Sequence, residues 1–157
     1  PATFYSCVAA HPALLEQQAD KVQIYFKGEQ GTDACDTTTP AWGCDQYTGV
    51  GRATWLSTDT VVDVNPEPVL NVNGHTFGFP SLTNIADVTF MMLVQVPNLY
   101  MTYSYDAGLT WTEPVVAIAP GQTPWTDDRV FNPSLMCTKD DRYKPFRMFI
   151  GGKERED

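Results

Sequence analysis

Four acidic residues in the first third of the chain are of a type that can carry out acid–base chemistry. Glu29 comes shortly after the apolar run 22–26, and Asp33, Asp36 and Asp45 lie in the polar stretch that follows. Hydrolysis of a glycosidic bond needs two carboxyl groups held at a defined separation. These four residues are therefore the candidate catalytic groups, and a solvated turn residue is the alternative for each.

Arg52 and Trp42 are candidate substrate-binding groups, and Arg147 is considered with them. Arg52 falls in a β-type run, where it could face a cavity or point outward and pair with a carboxylate; Arg147 presents the same choice. Trp42 lies in the polar stretch between Pro40 and Cys44, where its ring could stack on a sugar or pack over its own loop.

Cysteines and acidic pairs offer further candidates. A disulfide between Cys35 and Cys44 would close the polar stretch 31–47, with two free thiols as the alternative. A pairing of Cys7 with Cys137 stays open. No Cys-x-x-Cys pair supports zinc. His75 reads as a turn residue. We expect no cofactor; calcium is the alternative, through two acidic pairs that lack EF-hand spacing, Asp127 with Asp128 and Asp140 with Asp141.

Composition narrows the class of protein. A formal net charge of −9 argues against nucleic acid and anionic lipid as partners. The sequence contains no apolar run of about 18 residues and therefore predicts no membrane span. The chain starts at Pro1, which we interpret as a removed leader or an excised fragment, and we expect an exported protein in an oxidising compartment. Twelve Pro, eleven Gly and many aromatic residues favour an all-β fold.

An internal repeat organises the chain. The segments that start at His11, Phe79 and Asn132 read HPALL, FPSLT and NPSLM, and an apolar or aromatic run follows each. Twelve residues separate Pro12 from Ile24 and also Pro80 from Met92, which predicts a shared register. We read residues 13–21 as strand and turn despite their helical propensity, because the equivalent residues of the second repeat are poor helix formers.

Each repeat is predicted to contain four antiparallel strands, which is one blade of a β-propeller. The predicted blades are residues 8–71, 76–119 and 129–157, with closing strands at 67–70 and 113–116 in the first two. The third has only two strands, so about two and a half blades of an incomplete ring are expected. Propellers close with about four to eight blades. The remaining blades would come from the same polypeptide or from a partner chain.

The segment from Ser104 to Trp111 reads SYDAGLTW. Asp106 can accept hydrogen bonds from backbone N–H groups of its own loop, Gly108 can take a positive φ, and Trp111 can bury its ring under the turn. With Ser104 and Thr110, the pattern resembles the Asp box of sialidases and related BNR-repeat propellers. Two further pairs of segments resemble five-bladed arabinanase- and invertase-type glycosidases: residues 132–136 followed by 147–152, and residues 49–54 followed by 68–70.

This resemblance implies an exported, sialidase-like propeller that acts on or binds terminal sugars of glycans. Its Asp box would be structural, and its acid/base Asp would fall in the loop holding Asp33, Asp36 and Asp45. His11 stands where sialidases open the first blade with an arginine, and it could hold an anion only when protonated. In the second family a catalytic Asp precedes the blade-opening proline, where this chain has His11, Phe79 and Asn132. The alternative is a non-catalytic segment that binds glycan or protein within an extracellular assembly.

Overall fold

The computed structural model describes residues 8–18, 21–30, 47–56, 60–72, 77–137 and 146–154. Within them the protein is all-β, as the composition predicts: ten strands and one short 3₁₀ helix occur, and no α-helix. The chain divides into two compact units, Pro1–Gly78 and Phe79–Asp157. Ten of the residues considered above lie outside the described part: Cys7, Asp33, Cys35, Asp36, Trp42, Cys44, Asp45, His75, Asp140 and Asp141.

The first unit holds one four-stranded antiparallel sheet, here called sheet 1. Its strands pair in chain order: β1 (Val8–Gln18), β2 (Lys21–Gln30), β3 (Tyr47–Leu56) and β4 (Thr60–Val64). The stretch with helical propensity is extended, because β1 continues to Gln18 and pairs with β2 along its length. Tyr25 and Val50 are fully buried, and the Tyr25 hydroxyl donates to Gln23 Oε1 over 2.6 Å.

The fourth strand of the first repeat is not where the sequence predicts it. Residues 60–64 form β4, whereas residues 67–70 make only a short connection to Val50. Val50 N donates to Leu70 O over 2.9 Å, and Val69 N donates to Val50 O over 2.8 Å. Residues 60–64 contain three valines and no proline, so every residue has a donor for the ladder. The later segment carries Pro68, which has none.

The second unit holds two antiparallel sheets. Sheet 2 pairs its strands in chain order: β5 (Gly78–Ile85, of which Gly78 belongs to the first unit), β6 (Val88–Gln95), β7 (Asn98–Ser104) and β8 (Val115–Ile118). Sheet 3 is the pair β9 (Arg129–Cys137) and β10 (Phe146–Lys153), preceded by the 3₁₀ helix Pro124–Thr126. Both sheets follow the predicted strand pattern, and the closing strand of the second repeat starts two residues later than expected.

Sheets 2 and 3 pack face to face. Met92, Val94 and Leu99 of sheet 2 form one buried cluster with Val130 of sheet 3. Partly buried side chains from both sheets surround it, including Met101, Ile118, Leu135, Met148 and Ile150. Ser81 Oγ also accepts a hydrogen bond from Leu135 N over 2.8 Å, so the first strands of the second and third repeats are joined directly.

Trp55 is not part of the core, although the sequence predicts that it is. Its alternation with Ala53 predicts a buried ring, and Ala53 is indeed buried, but Trp55 is exposed. Trp55 lies one residue before the end of β3, and the pairing with β4 shifts register between Thr54 and Trp55.

Candidate functional site

The residue before the opening proline has the same unusual backbone in all three repeats. His11, Phe79 and Asn132 have φ values of 53°, 49° and 48°. A side chain clashes with its own backbone at such angles, and a following proline further restricts the residue to extended conformations. Each such residue costs on the order of 1–3 kcal/mol, and strain of this kind concentrates at functional sites.

A β-bulge accompanies two of these positions. In sheet 1, Ala10 pairs with Lys27 and Ala13 with Tyr25, so His11 and Pro12 lie together opposite a single residue. In sheet 3 the pairing shifts in the same way at Asn132 and Pro133. A bulge of this kind changes the direction of a side chain and is frequent beside active sites.

These three positions present chemically different groups to solvent. His11 and Asn132 are exposed, and Phe79 is at the margin of exposure. Imidazole and amide groups can both donate and accept hydrogen bonds, and the phenyl ring offers an apolar face. His11 and Asn132 can therefore each hydrogen-bond to a polar ligand, and Phe79 can contact an apolar face of one. None of the three residues is a carboxylic acid.

An exposed tryptophan lies near the Asn132 position. Trp125 is 46% exposed and packs on Gly152, where a Cβ atom would stand only 2.5 Å from its ring. Gly152 pairs with Val130, two residues before Asn132. The sequence analysis did not identify Trp125. The pair Gly151 and Gly152 was an available signal, because a glycine in the facing strand leaves room for an aromatic ring.

The 104–111 turn between β7 and β8 is held by its own side chains. Asp106 Oδ1 accepts hydrogen bonds from the backbone N–H groups of Leu109 and Thr110 (3.0 and 2.8 Å), and Oδ2 accepts one from the Thr110 hydroxyl (2.6 Å). The Ser104 hydroxyl donates to Asp106 Oδ1 over 2.7 Å and accepts from Gly108 N over 2.8 Å. Gly108 has a φ of 83°, as the reversal requires.

These contacts determine the charge state of Asp106. The Thr110 hydroxyl, the Thr110 N–H and the Ser104 hydroxyl stabilise the carboxylate and lower the pKa of Asp106 from 3.8 to about 2. With its oxygens engaged inside the turn, Asp106 is unsuited to proton transfer near neutral pH. Trp111 follows the turn and is half-buried, but it does not re-enter the sheet as the sequence predicts, because β8 begins only at Val115.

Two of the predicted site residues lie at some distance from each other in sheet 1. Arg52 is half-buried on β3 and pairs with Tyr25, while the backbone of Glu29 on β2 pairs with Val8 and Thr48. Four residues of strand separate the two pairs, or about 13 Å at the usual rise. His11 is on β1, two strands away from Arg52, and lies one residue along from the aligned set Ala13, Tyr25 and Arg52.

The acidic pair Asp127 and Asp128 and the thiol of Cys137 are further candidates that lie in the described part. Asp128 forms an ion pair with Arg129 over 2.8 Å, and Asp127 is exposed. No cluster of three or more His, Cys, Asp or Glu side chains occurs among the described residues. Cys137 is a free thiol, so it is not paired with Cys7. The described part contains no helix with the length and apolar character needed to cross a membrane.

No known family model matches this chain, and no curated protein is similar to it in sequence.

Proposed function

We propose that this chain forms consecutive blades of a sialidase-like β-propeller and binds terminal sugars of glycans through its pre-proline residues. The packing of sheet 2 against sheet 3 supports the architecture, because successive blades of a propeller stack face to face with their first strands innermost. The side-chain hydrogen bonds of the 104–111 turn support its assignment as an Asp box.

The observation that carries the binding proposal is the recurrence of the left-handed pre-proline residue. A costly backbone conformation repeated at three equivalent places indicates a common use for the side chain that it presents. At the third place, Asn132 supplies an amide and Trp125 an exposed ring near the same end of the sheet. Sugars present hydroxyl groups together with apolar ring faces, which this pair of groups complements.

Titration with sialyllactose, arabino-oligosaccharides and fructo-oligosaccharides, followed by ligand-observed NMR, tests the proposal. Asn132→Ala should weaken binding of the preferred sugar about tenfold, the equivalent of one lost hydrogen bond. Ser134→Ala is the matched control, because Ser134 is an exposed residue on the same strand with ordinary backbone angles. Equal affinities for wild type and Asn132→Ala, or no binding of any of the three sugars, would reject it.

Asn132→Gly separates a binding role from a backbone role. Glycine adopts a positive φ without strain, so this variant removes the amide while it relaxes the backbone. We expect unchanged or increased thermal stability together with weaker sugar binding. A variant that loses stability and binding in parallel would assign Asn132 to structure alone.

Hydrolysis of the bound sugar belongs to the same proposal, with Glu29, Asp33, Asp36 and Asp45 as acid/base and nucleophile candidates and with Arg52, Trp42 and His11 near the substrate. Turnover of fluorogenic sialosides, arabinosides and fructosides, measured against Glu29→Gln, tests it. The proposal also includes export of the protein and a disulfide between Cys35 and Cys44. It expects no cofactor at the site, with calcium as the alternative.

One sequence fact favours the second candidate, a non-catalytic glycan- or protein-binding segment. The three pre-proline places hold His, Phe and Asn, whereas the resemblance to five-bladed glycosidases implies an aspartate in one of them. Sugar binding with the affinity pattern described above but without any turnover would select this candidate.

A further inference from the structure

The first strands of sheets 2 and 3 start at the same end of the second unit. A two-residue turn, 86–87, joins β5 to β6, so the start of β5 lies beside the end of β6. Val130, at the start of β9, donates its N–H to the carbonyl oxygen of Pro97 over 3.1 Å, and Pro97 lies in the turn that follows β6. The starts of β5 and β9 therefore both lie beside the turn between β6 and β7.

Two of the left-handed pre-proline residues are at this end. Phe79 precedes Ser81 by two residues and Asn132 precedes Leu135 by three, and Leu135 N donates to Ser81 Oγ. At the usual strand rise, each pre-proline residue is within about 10 Å of that hydrogen bond along its own strand. Phe79 and Asn132 are therefore neighbours across the junction of sheets 2 and 3.

Trp125 is held in a fixed position at the same end. Its ring packs on Gly152, which pairs with Val130. The backbone N–H of Thr126 donates to the carbonyl oxygen of Thr123 over 3.0 Å, and Thr126 is buried, while Trp125 itself is 46% exposed. A ring that is presented to solvent and already ordered loses little conformational entropy when a ligand contacts it.

Three apolar side chains are exposed at this end of the second unit. Val96, in the turn between β6 and β7, is 61% exposed, and Trp125 and Phe79 are exposed to a smaller extent. We call these three residues the Val96 rim. Such side chains favour contact with an apolar part of a ligand. A hydroxyl group placed against them loses water without gaining a partner.

Charged residues beside the rim balance one another. Asp127 and Asp128 carry negative charges, and Arg129 and Lys153, which pair across β9 and β10, carry positive ones. Asp128 and Arg129 form an ion pair over 2.8 Å, so this guanidinium group already has a carboxylate partner. These four residues supply no excess of positive charge, and they therefore favour a neutral sugar over an anionic one.

We propose that the sugar bound at this end is a neutral 6-deoxyhexose, with its methyl group against the Val96 rim and a ring hydroxyl hydrogen-bonded to the amide of Asn132. The methyl group gains apolar contact, whereas the C6 hydroxyl of the corresponding hexose gains no partner there. The inference rests on the proposed sugar binding through Asn132 and adds the class of sugar that is preferred.

Pairs of sugars that differ only by the oxygen at C6 test the inference: L-fucose with L-galactose, and L-rhamnose with L-mannose. Ligand-observed NMR titration gives the affinity of each sugar. The wild-type chain should bind at least one deoxy sugar about tenfold more tightly than its hydroxylated counterpart, the lower end of the discrimination that one such group gives at an apolar site. Asn132→Ala should weaken both members of that pair alike.

Val96→Ser and Phe79→Asn each put a hydrogen-bonding group into the rim. Asparagine tolerates a positive φ, as Asn132 shows in the third repeat. Each variant should reduce the tenfold preference to about twofold or less, because the C6 hydroxyl then has a partner. Val115→Ser is the matched control, because Val115 is an exposed valine on β8 outside the rim. It should keep the wild-type preference, and circular dichroism checks that all variants keep their β-structure.

The outcomes separate this inference from the proposed function. Equal affinities within both pairs, tighter binding of the hydroxylated sugars, or no binding of any of the four sugars would overturn the inference. A preference that persists in both rim variants would overturn it as well. The titration with sialyllactose, arabino-oligosaccharides and fructo-oligosaccharides decides the proposed function on its own, so sugar binding without a C6 preference rejects the inference alone.

Discussion

Sheets 1 and 2 have the same four-stranded order, but they secure their outer strands in different ways. In sheet 2 the 104–111 turn lies between β7 and β8, and a network of side-chain hydrogen bonds around Asp106 fixes that turn. In sheet 1 no equivalent of this motif occurs in the sequence. Instead, the chain beyond β4 returns to Val50 on β3 through the backbone of Val69 and Leu70.

The two ways of holding the outer strand require different residues. The turn of sheet 2 needs particular side chains, above all Ser104, Asp106 and Thr110. The return segment of sheet 1 needs space, because Pro68 lies against Gly49. The comparison teaches that the strand order of a repeat depends on the apolar pattern of its first three strands, while the closure of the repeat is a local and replaceable feature.

The largest effect should come from removing the shared core of the second unit. Leu99 is fully buried in the cluster between sheets 2 and 3, and Leu99→Ala should destabilise the second unit by about 2–5 kcal/mol. Hydrogen exchange should show lost protection in sheets 2 and 3 and little change in sheet 1. Leu109→Ala, at an exposed leucine, should change stability by less than about 0.5 kcal/mol.

An intermediate effect should come from crowding the return segment of sheet 1. A Cβ atom at Gly49 would lie 2.8 Å from Pro68 Cβ and 3.2 Å from Leu70 O, so Gly49→Ala should cost about 1–3 kcal/mol. Denaturant unfolding followed by exchange at Val50 and Leu70 measures it. Gly78→Ala is the control, because its Cβ would meet only the flexible side chain of Lys27. Equal losses in the two variants would contradict this account.

The smallest effect should come from the charge at the centre of the turn. Because hydrogen bonds lower the pKa of Asp106 from 3.8 to about 2, the stabilisation is complete above about pH 4 and is lost as the pH falls through 2. Asp106→Asn should therefore be less stable than the wild type at neutral pH, and the difference should vanish towards pH 2. Thermal unfolding at a series of pH values measures it.

Asp87→Asn controls for the loss of one negative charge, because Asp87 is exposed at the turn between β5 and β6. A stability difference between wild type and Asp106→Asn that stayed constant from neutral pH to pH 2 would show that the carboxylate is not the stabilising group.

Sequence reasoning was most successful where a pattern is local. The β-branched and aromatic runs between Pro and Gly residues identified the all-β class and every strand except β4. The 104–111 segment likewise indicated which oxygens accept hydrogen bonds and where a positive φ is needed, because those contacts join residues at most four positions apart.

It failed where two segments competed or where a strand was irregular. The closing strand of the first repeat was predicted at residues 67–70, but residues 60–64 form it, since their three valines favour a strand and Pro68 lacks a donor. The shared twelve-residue spacing makes Ile24 and Met92 equivalent, yet Ile24 is on the Leu14 side while Met92 is on the Ser81 side. A register shift between Glu16 and Gln18 displaces the equivalence by one residue, and no residue type signals such a shift.

The site was predictable only in part. The sequence drew attention to His11 before Pro12, but it did not predict the left-handed conformation at His11, Phe79 and Asn132, which coincides with bulged strand pairing at His11 and Asn132. A proline ordinarily keeps the preceding residue extended. Neighbouring strands in the folded protein override that local preference, so no window of sequence contains the information.

The pre-proline position has a consequence for how such a protein can change. Its backbone is left-handed in spite of the proline that follows, and an imidazole, a phenyl ring and an amide already occupy it within one chain. The scaffold therefore accepts diverse chemistry at a fixed location. New ligand preferences can be installed there by single substitutions, repeat by repeat, while the sheets that carry the position remain unaltered.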